Sequence, residues 1–173
     1  MRVLDTVLAF ALLATLAAAV AWLERGTALS GAARAVDGDT LELDGRRIRL
    51  EGIDAPELHQ TCGREDGGAA VSWPCGTAAR TALAELARGG PLTCATRRND
   101  AYGRALARCT TRSPGADTEI DLGAEMVRRG LAVSYGRHGY TAEEAQARAA
   151  GRGLWAGPFQ QPRDFRAAHP RSG

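Results

Sequence analysis

Two Asp-Gly pairs, Asp37-Gly38 and Asp44-Gly45, punctuate the stretch AARAVDGDTLELDGRRIRLEGI. Apolar and polar residues alternate with a period of two around them, the pattern of a half-buried strand. Asp-Gly between two such runs is a strong hairpin signal, because glycine takes positive φ without steric cost and aspartate tolerates it. The stretch therefore predicts a three-stranded meander, with strands near 33–37, 40–43 and 46–53. With Asp44-Gly45 as a two-residue loop, Leu43 faces Arg46, Leu41 faces Ile48 and Thr40 faces Arg49. Leu41, Ile48 and Leu50 then point to a core, while Thr40, Arg49 and Glu51 share the other face. This register sets Arg49 beside the DGDT turn and brings Asp37 and Asp39 near the IDAPE corner that carries Asp54 and Glu57.

Beyond the meander, LHQTCGREDGGAAVSWPC (58–75) lacks periodicity and reads as a loop. GTAARTALAELARGG reads as an amphipathic helix with Ala78, Leu83, Leu86 and Ala87 inward and Gly89-Gly90 at its end. A second hairpin is expected near 91–97 and 104–110, followed by helices in DTEIDLGAEMVRRG and TAEEAQARAAGRG. The closing stretch LWAGPFQQPRDFRAAHPRSG shows little pattern beyond Trp155 and Phe159, which are placed to cap the core. Strands, helix, strands and then helices is the order of a small Greek-key barrel of the OB type with added helices, an α+β fold that is mainly β.

The chain has 173 residues, room for one domain with a real core. Its 22 basic and 20 acidic residues leave +2, which argues against a polybasic binder. It contains no lysine, so any phosphate it holds meets planar, bidentate guanidinium groups. An apolar run from Val7 to Leu23 behind Arg2 reads as an uncleaved signal anchor, with a cleaved signal peptide ending at the AVA of Ala19–Ala21 as the alternative. Either exports the domain, to the periplasm or cell surface. The expected organisation is 1–25 anchor or signal, 26–31 linker, 32–160 domain and 161–173 tail. Four cysteines in an exported chain suggest two disulfides, Cys62–Cys75 closing the aperiodic loop and Cys94–Cys109 joining the arms of the second hairpin. Zinc is disfavoured, since no CxxC pair exists and the histidines are scattered.

Hard carboxylate oxygens at the converging corners of Asp37, Asp39, Asp54 and Glu57, without nearby histidine or cysteine, suit a calcium-type ion. Arg49 and Arg104 suit a phosphoryl group that gains charge in a transition state. DGDT, RIRLEGIDAPE, DAYGRALA and GLAV occur here in the order and rough spacing of the thermonuclease family, the staphylococcal nuclease-like proteins, which the chain resembles over about residues 33–157. The resemblance implies a five-stranded OB barrel with three helices, here preceded by the N-terminal hydrophobic helix. It implies calcium-dependent cleavage of DNA or RNA phosphodiesters to 3′-phosphate ends. It assigns Asp39, Asp54 and the carbonyl of Ala55 to calcium, Arg49 and Arg104 to the phosphate, Glu57 to the general base and Asp37 to a supporting position. Tyr102 matches a nucleotide-contacting tyrosine, and Tyr135 is aligned with another across a gap.

The chain departs from the family pattern after Glu57, where a cysteine-closed loop replaces a mobile, lysine-bearing one. The alternative reading is a non-catalytic OB module for nucleic acid or oligosaccharide, acting in envelope polysaccharide assembly; some rhizobial relatives carry exopolysaccharide-biosynthesis names. The expected partners are DNA or RNA and, through the N-terminal segment, a membrane. The expected state is a monomer.

Overall fold

The computed structural model describes residues 6–8, 10–16, 27–31, 33–112 and 118–170. Its centre is the meander of β2 (Ala33–Ala35), β3 (Thr40–Leu43) and β4 (Arg46–Leu50). Asp44 and Gly45 both take positive φ, 48° and 77°, as the two-residue primed turn requires. The register follows: Leu43 faces Arg46, Leu41 faces Ile48 and Thr40 faces Arg49. The first turn is wider than a tight hairpin, with residues 36–39 as a bend closed by the Val36 N–H donating to the Thr40 carbonyl at 2.8 Å.

The second hairpin, β8 (Leu92–Asn99) and β9 (Ala105–Arg112), joins the meander through a parallel β4–β9 pairing in which Arg49 faces Leu106. The resulting seven-stranded sheet runs β1-β8-β9-β4-β3-β2, with β1 (Thr27–Ser30) along β8 and β10 (Glu119–Asp121) along β9. Two short ribbons complete the β structure: β5 (Ile53–Asp54) with β11 (Val133–Ser134), and β6 (Cys62–Asp66) with β7 (Ala69–Trp73).

Helix α1 (Cys75–Arg88) buries Ala79, Leu83, Leu86 and Ala87 against Leu41, Ile48, Leu50 and Ile53. Ala79, not Ala78, takes the buried position one turn before Leu83. α2 (Leu122–Arg128) starts at Asp121, whose carboxylate accepts from the Ala124 N–H at 3.1 Å and caps the helix. The stretch before it, expected to be helical, is strand β10. α3 (Thr141–Ala149) and a 3₁₀ turn (Gly153–Ala156) follow, and Trp155 and Phe159 pack on the Cys62–Cys75 corner.

Two expectations give way here. Residues 58–75 are not a structureless loop: 62–73 form the β6–β7 hairpin, turned by Gly67 and Gly68 at φ 59° and 85°. Most of its side chains are exposed, so it carries no inward apolar alternation to betray it. The segment after 160 is not patternless: Pro162–Ala168 is α4, with proline in its first turn, where a missing N–H costs nothing. Beyond the N-terminal helical residues, the described part of the chain thus holds four α-helices and a 3₁₀ turn, against three helices expected. Both disulfides form with the expected pairing, Cys62–Cys75 and Cys94–Cys109.

The apolar run Val7–Leu23 lies partly outside the described residues. Residues 6–8 and 10–16 are helical, with Leu8, Phe10 and Leu12 between 61% and 72% exposed. No helix among the described residues is long and apolar enough to cross a membrane.

Candidate functional site

Asp39 and Asp54 converge at one end of the meander because a glycine lets two chain segments touch. A Cβ on Gly38 would stand 2.7 Å from the methyl groups of both Ala55 and Ala79. Without it, the turn seats against the end of β5 and the face of α1. The Ala55 N–H donates to Asp39 Oδ2 at 3.1 Å, and the Asp39 N–H donates to Asp37 Oδ1 at 3.1 Å. Asp37 thus shapes the turn through its side chain.

Both inner carboxylates are withdrawn from water, Asp39 at 4% and Asp54 at 1% exposure. Burial pushes the Asp39 carboxyl up to about 7, while the Arg49 guanidinium pulls the other way. Arg49 lies between the two acids, with Nη1 donating to Asp39 Oδ1 at 2.6 Å and Nη2 to Asp54 Oδ1 at 2.9 Å. Burial works to lower the Arg49 pKa, but Asp39 and Asp54 outweigh it and hold the guanidinium protonated.

Glu57 stands two residues past Ala55, and its carboxylate joins the cluster through a residue absent from the sequence-based expectations. Arg166, on α4, donates from Nη1 to Asp54 Oδ1 and from Nη2 to Asp54 Oδ2, both at 3.0 Å. Its Nη1 also reaches Glu57 Oε1 at 3.2 Å. Two guanidinium groups therefore serve Asp39, Asp54 and Glu57. Gln60 is the second residue that was missed. Fully buried, it accepts from the Glu57 N–H at 3.2 Å and donates to the Gln160 carbonyl at 2.7 Å, tying the Glu57 loop to the segment that leads into α4. Pro162 and Asp164 were a legible helix start for α4. Nothing local signals that Arg166 reaches a partner 112 positions away.

Arg104 is close in fold but not part of this cluster. Its Nε donates to Asp100 Oδ2 at 2.7 Å and its backbone N–H to Asp100 Oδ1 at 2.9 Å. Burial tends to raise the Asp100 pKa, but these bonds and one from the Tyr102 N–H lower it overall. The Arg104 guanidinium lies 5.6 Å from the centre of the exposed Tyr102 ring. Both residues line an open cleft with Arg46, Arg47 and Asn99. Tyr135, also exposed, lines a different cleft with Arg49, Gly52, Ile53 and His138.

Among the described residues, no three His, Cys, Asp or Glu side chains converge as a metal-binding group. Asp39 and Asp54 nevertheless form a buried acidic pair bridged by Arg49, and Asp54 also holds Arg166 from a distant element. Two hard carboxylates that gather positive charge in this way fit a calcium-type ion.

The arrangement is an arginine-bridged acidic site at one end of an α+β domain. The sequence profile of the family described as "Staphylococcal nuclease homologue" matches residues 47–157, more than half of the chain. The chain belongs to the staphylococcal nuclease-like family. It is similar to the succinoglycan biosynthesis protein ExoI of Rhizobium meliloti (strain 1021), 33% identical over 129 residues that cover 72% of this chain and 63% of that one. It is similar to the probable endonuclease LCL3 of Verticillium alfalfae, 34% identical over 132 residues, 69% of this chain and 43% of that one. The micrococcal nuclease of Shigella flexneri is 31% identical over 149 residues, 78% of each chain. This chain therefore spans less than two thirds of the first two relatives.

Proposed function

We propose that the protein is a calcium-dependent, extracytoplasmic nuclease that hydrolyses DNA or RNA phosphodiesters and leaves 3′-phosphate ends, on an OB-type barrel. One observation carries this reading: Asp39, Asp54, Glu57 and Arg49 meet within one hydrogen-bonded cluster, with Arg104 and Tyr102 on a neighbouring cleft. The names of the Shigella and Verticillium relatives, nuclease and probable endonuclease, point the same way.

In this reading Asp39, Asp54 and the Ala55 carbonyl hold the calcium ion, which when bound supplies a Lewis acid for a phosphoryl oxygen. Arg49 and Arg104 donate paired hydrogen bonds to the phosphoryl group, and these strengthen as charge develops on its oxygens. Glu57 takes a proton from the attacking water, and the bond to the 5′ oxygen breaks. Tyr102 and Tyr135 offer ring faces to bases. Arg46 and Arg47 extend the Arg104 cleft as a track for the polynucleotide backbone, which needs cations along its length. Export is supported by the two disulfides, which persist in oxidising compartments. Membrane anchorage is supported by the exposed apolar helical residues near the N-terminus.

A second reading, a binding module in envelope polysaccharide assembly, is favoured by the name of the Rhizobium relative. A zymogram of the full chain on DNA and on RNA, with calcium and with chelator, separates the two. Clearing that chelator abolishes is expected of the nuclease. Binding without clearing on either substrate supports the module.

A further inference from the structure

Helix α4 is anchored on the loop that carries Glu57. The Phe165 ring lies 5.2 Å from that of His59, two residues after Glu57, and stacks on His169 at 4.2 Å. Gln60 holds the Gln160 carbonyl just ahead of the helix. This seat is shallow: α4 has seven residues, of which Pro162 is the buried one. Few buried apolar contacts make a segment able to open at small free-energy cost.

At the tip of this shallow seat is the bidentate grip of Arg166 on Asp54, shared with Glu57. A carboxylate oxygen has about two lone-pair sites. Asp54 Oδ1 accepts from both Arg49 and Arg166, so both of its sites are taken. Oδ2 accepts from Arg166 as well. A divalent cation on Asp54 would need those oxygens and would set two positive charges against the guanidinium at close range.

We propose that Arg166 is a built-in competitor for the cation: α4 is a latch, and its grip on Asp54 and Glu57 and the binding of a divalent ion to Asp39 and Asp54 exclude each other. This rests on the cation-binding role given to those aspartates above. Ion binding then drives α4 off its seat, and the protein's apparent affinity is reduced by the fraction of molecules that are latched. The latch makes the site sensitive to calcium concentration, and any partner or modification that lifts α4 becomes an activator.

The test is a calorimetric calcium titration of the full chain in detergent, as wild type, Arg166→Gln and Phe165→Ala. Phe165→Ala loosens the helix without touching any carboxylate. Hydrogen exchange of 162–168 is followed with and without calcium. Arg166→Gln is expected to bind calcium about tenfold tighter, Phe165→Ala to shift the same way by less, and calcium to speed exchange in wild-type α4. Equal or weaker calcium binding in both variants, no calcium binding by any of the three, or exchange in α4 that calcium leaves unchanged or slows, overturns the latch. Oligonucleotide cleavage by the same samples keeps the two readings apart. Cleavage by wild type with unshifted affinities removes the latch and leaves the nuclease. Shifted affinities with no cleavage keep the latch and remove the nuclease.

Discussion

Thr40 stands directly opposite Arg49 in the β3–β4 register, and this pairing holds the Arg49 guanidinium between Asp39 and Asp54. Arg49 is therefore both a structural counter-ion and a proposed phosphate ligand. Replacing it with lysine keeps the charge and loses the planar fork that spans two acids. Arg49→Lys is expected to lower single-turnover cleavage on the order of a hundredfold. Arg49→Ala leaves two buried carboxylates with less compensation and should also destabilise the fold by about 3 kcal/mol or more, the usual cost of breaking a buried ion pair. Urea unfolding alongside oligonucleotide cleavage measures both effects, and wild-type cleavage by Arg49→Lys rules out the phosphate role.

Arg104 allows a cleaner separation of rate from stability, because its side chain rests on Asp100 at the rim and not on the buried acids. Arg104→Lys should reduce the cleavage rate on the order of a hundredfold while changing oligonucleotide affinity little, since the lost hydrogen bond matters most in the transition state. A pure binding module shows the opposite pattern, with affinity lost and no hydrolysis to lose. Single-turnover kinetics and equilibrium binding on the same preparations decide between them.

Arg47 lies on the Arg104 cleft and is exposed. If it contacts backbone phosphate, Arg47→Gln weakens all oligonucleotide sequences alike and reduces the slope of log affinity against log salt by about 1. Binding isotherms at several salt concentrations test this. An unchanged slope places the strand elsewhere.

Each disulfide closes a short loop, with sequence separations of 13 and 15 residues. In the chain-entropy model each contributes ~3 kcal/mol by restricting the unfolded chain. Full reduction of these buried bonds should therefore lower the thermal midpoint sharply. Replacing Cys62 and Cys75 together should also loosen the corner where Val133 and Leu154 pack. Calorimetric scans with and without reductant check this, and a midpoint insensitive to reductant contradicts it.

The legible parts of this structure are those whose cause is local. The Asp44-Gly45 turn announces itself in two residues, and the register of β3 and β4 follows from it, which is why the approach of Arg49 to the DGDT corner was readable. The first turn was less so: Asp37-Gly38 marks a place where Gly38 must admit two alanine methyl groups, not a tight hairpin. The β6–β7 hairpin escaped notice because Arg64, Glu65, Asp66, Ala69 and Ala70 are all exposed, so no core imposes a period on them. Arg166 escaped for another reason. Its helix start was visible in Pro162, but its partner is fixed by how α4 packs on the Glu57 loop, a tertiary outcome that no neighbouring residue encodes.

The parallel pairing of β4 with β9 has a consequence for how the molecule is made. Arg49 faces Leu106, so one edge of β4 has no ladder partner until a strand from the far side of α1 arrives. Non-local pairing of this kind slows folding, because loop-closure entropy is lost before the contacts compensate for it. Until then the meander presents an open strand edge carrying Ile48 and Leu50, a template for another chain. Refolding yield is therefore expected to fall as protein concentration rises.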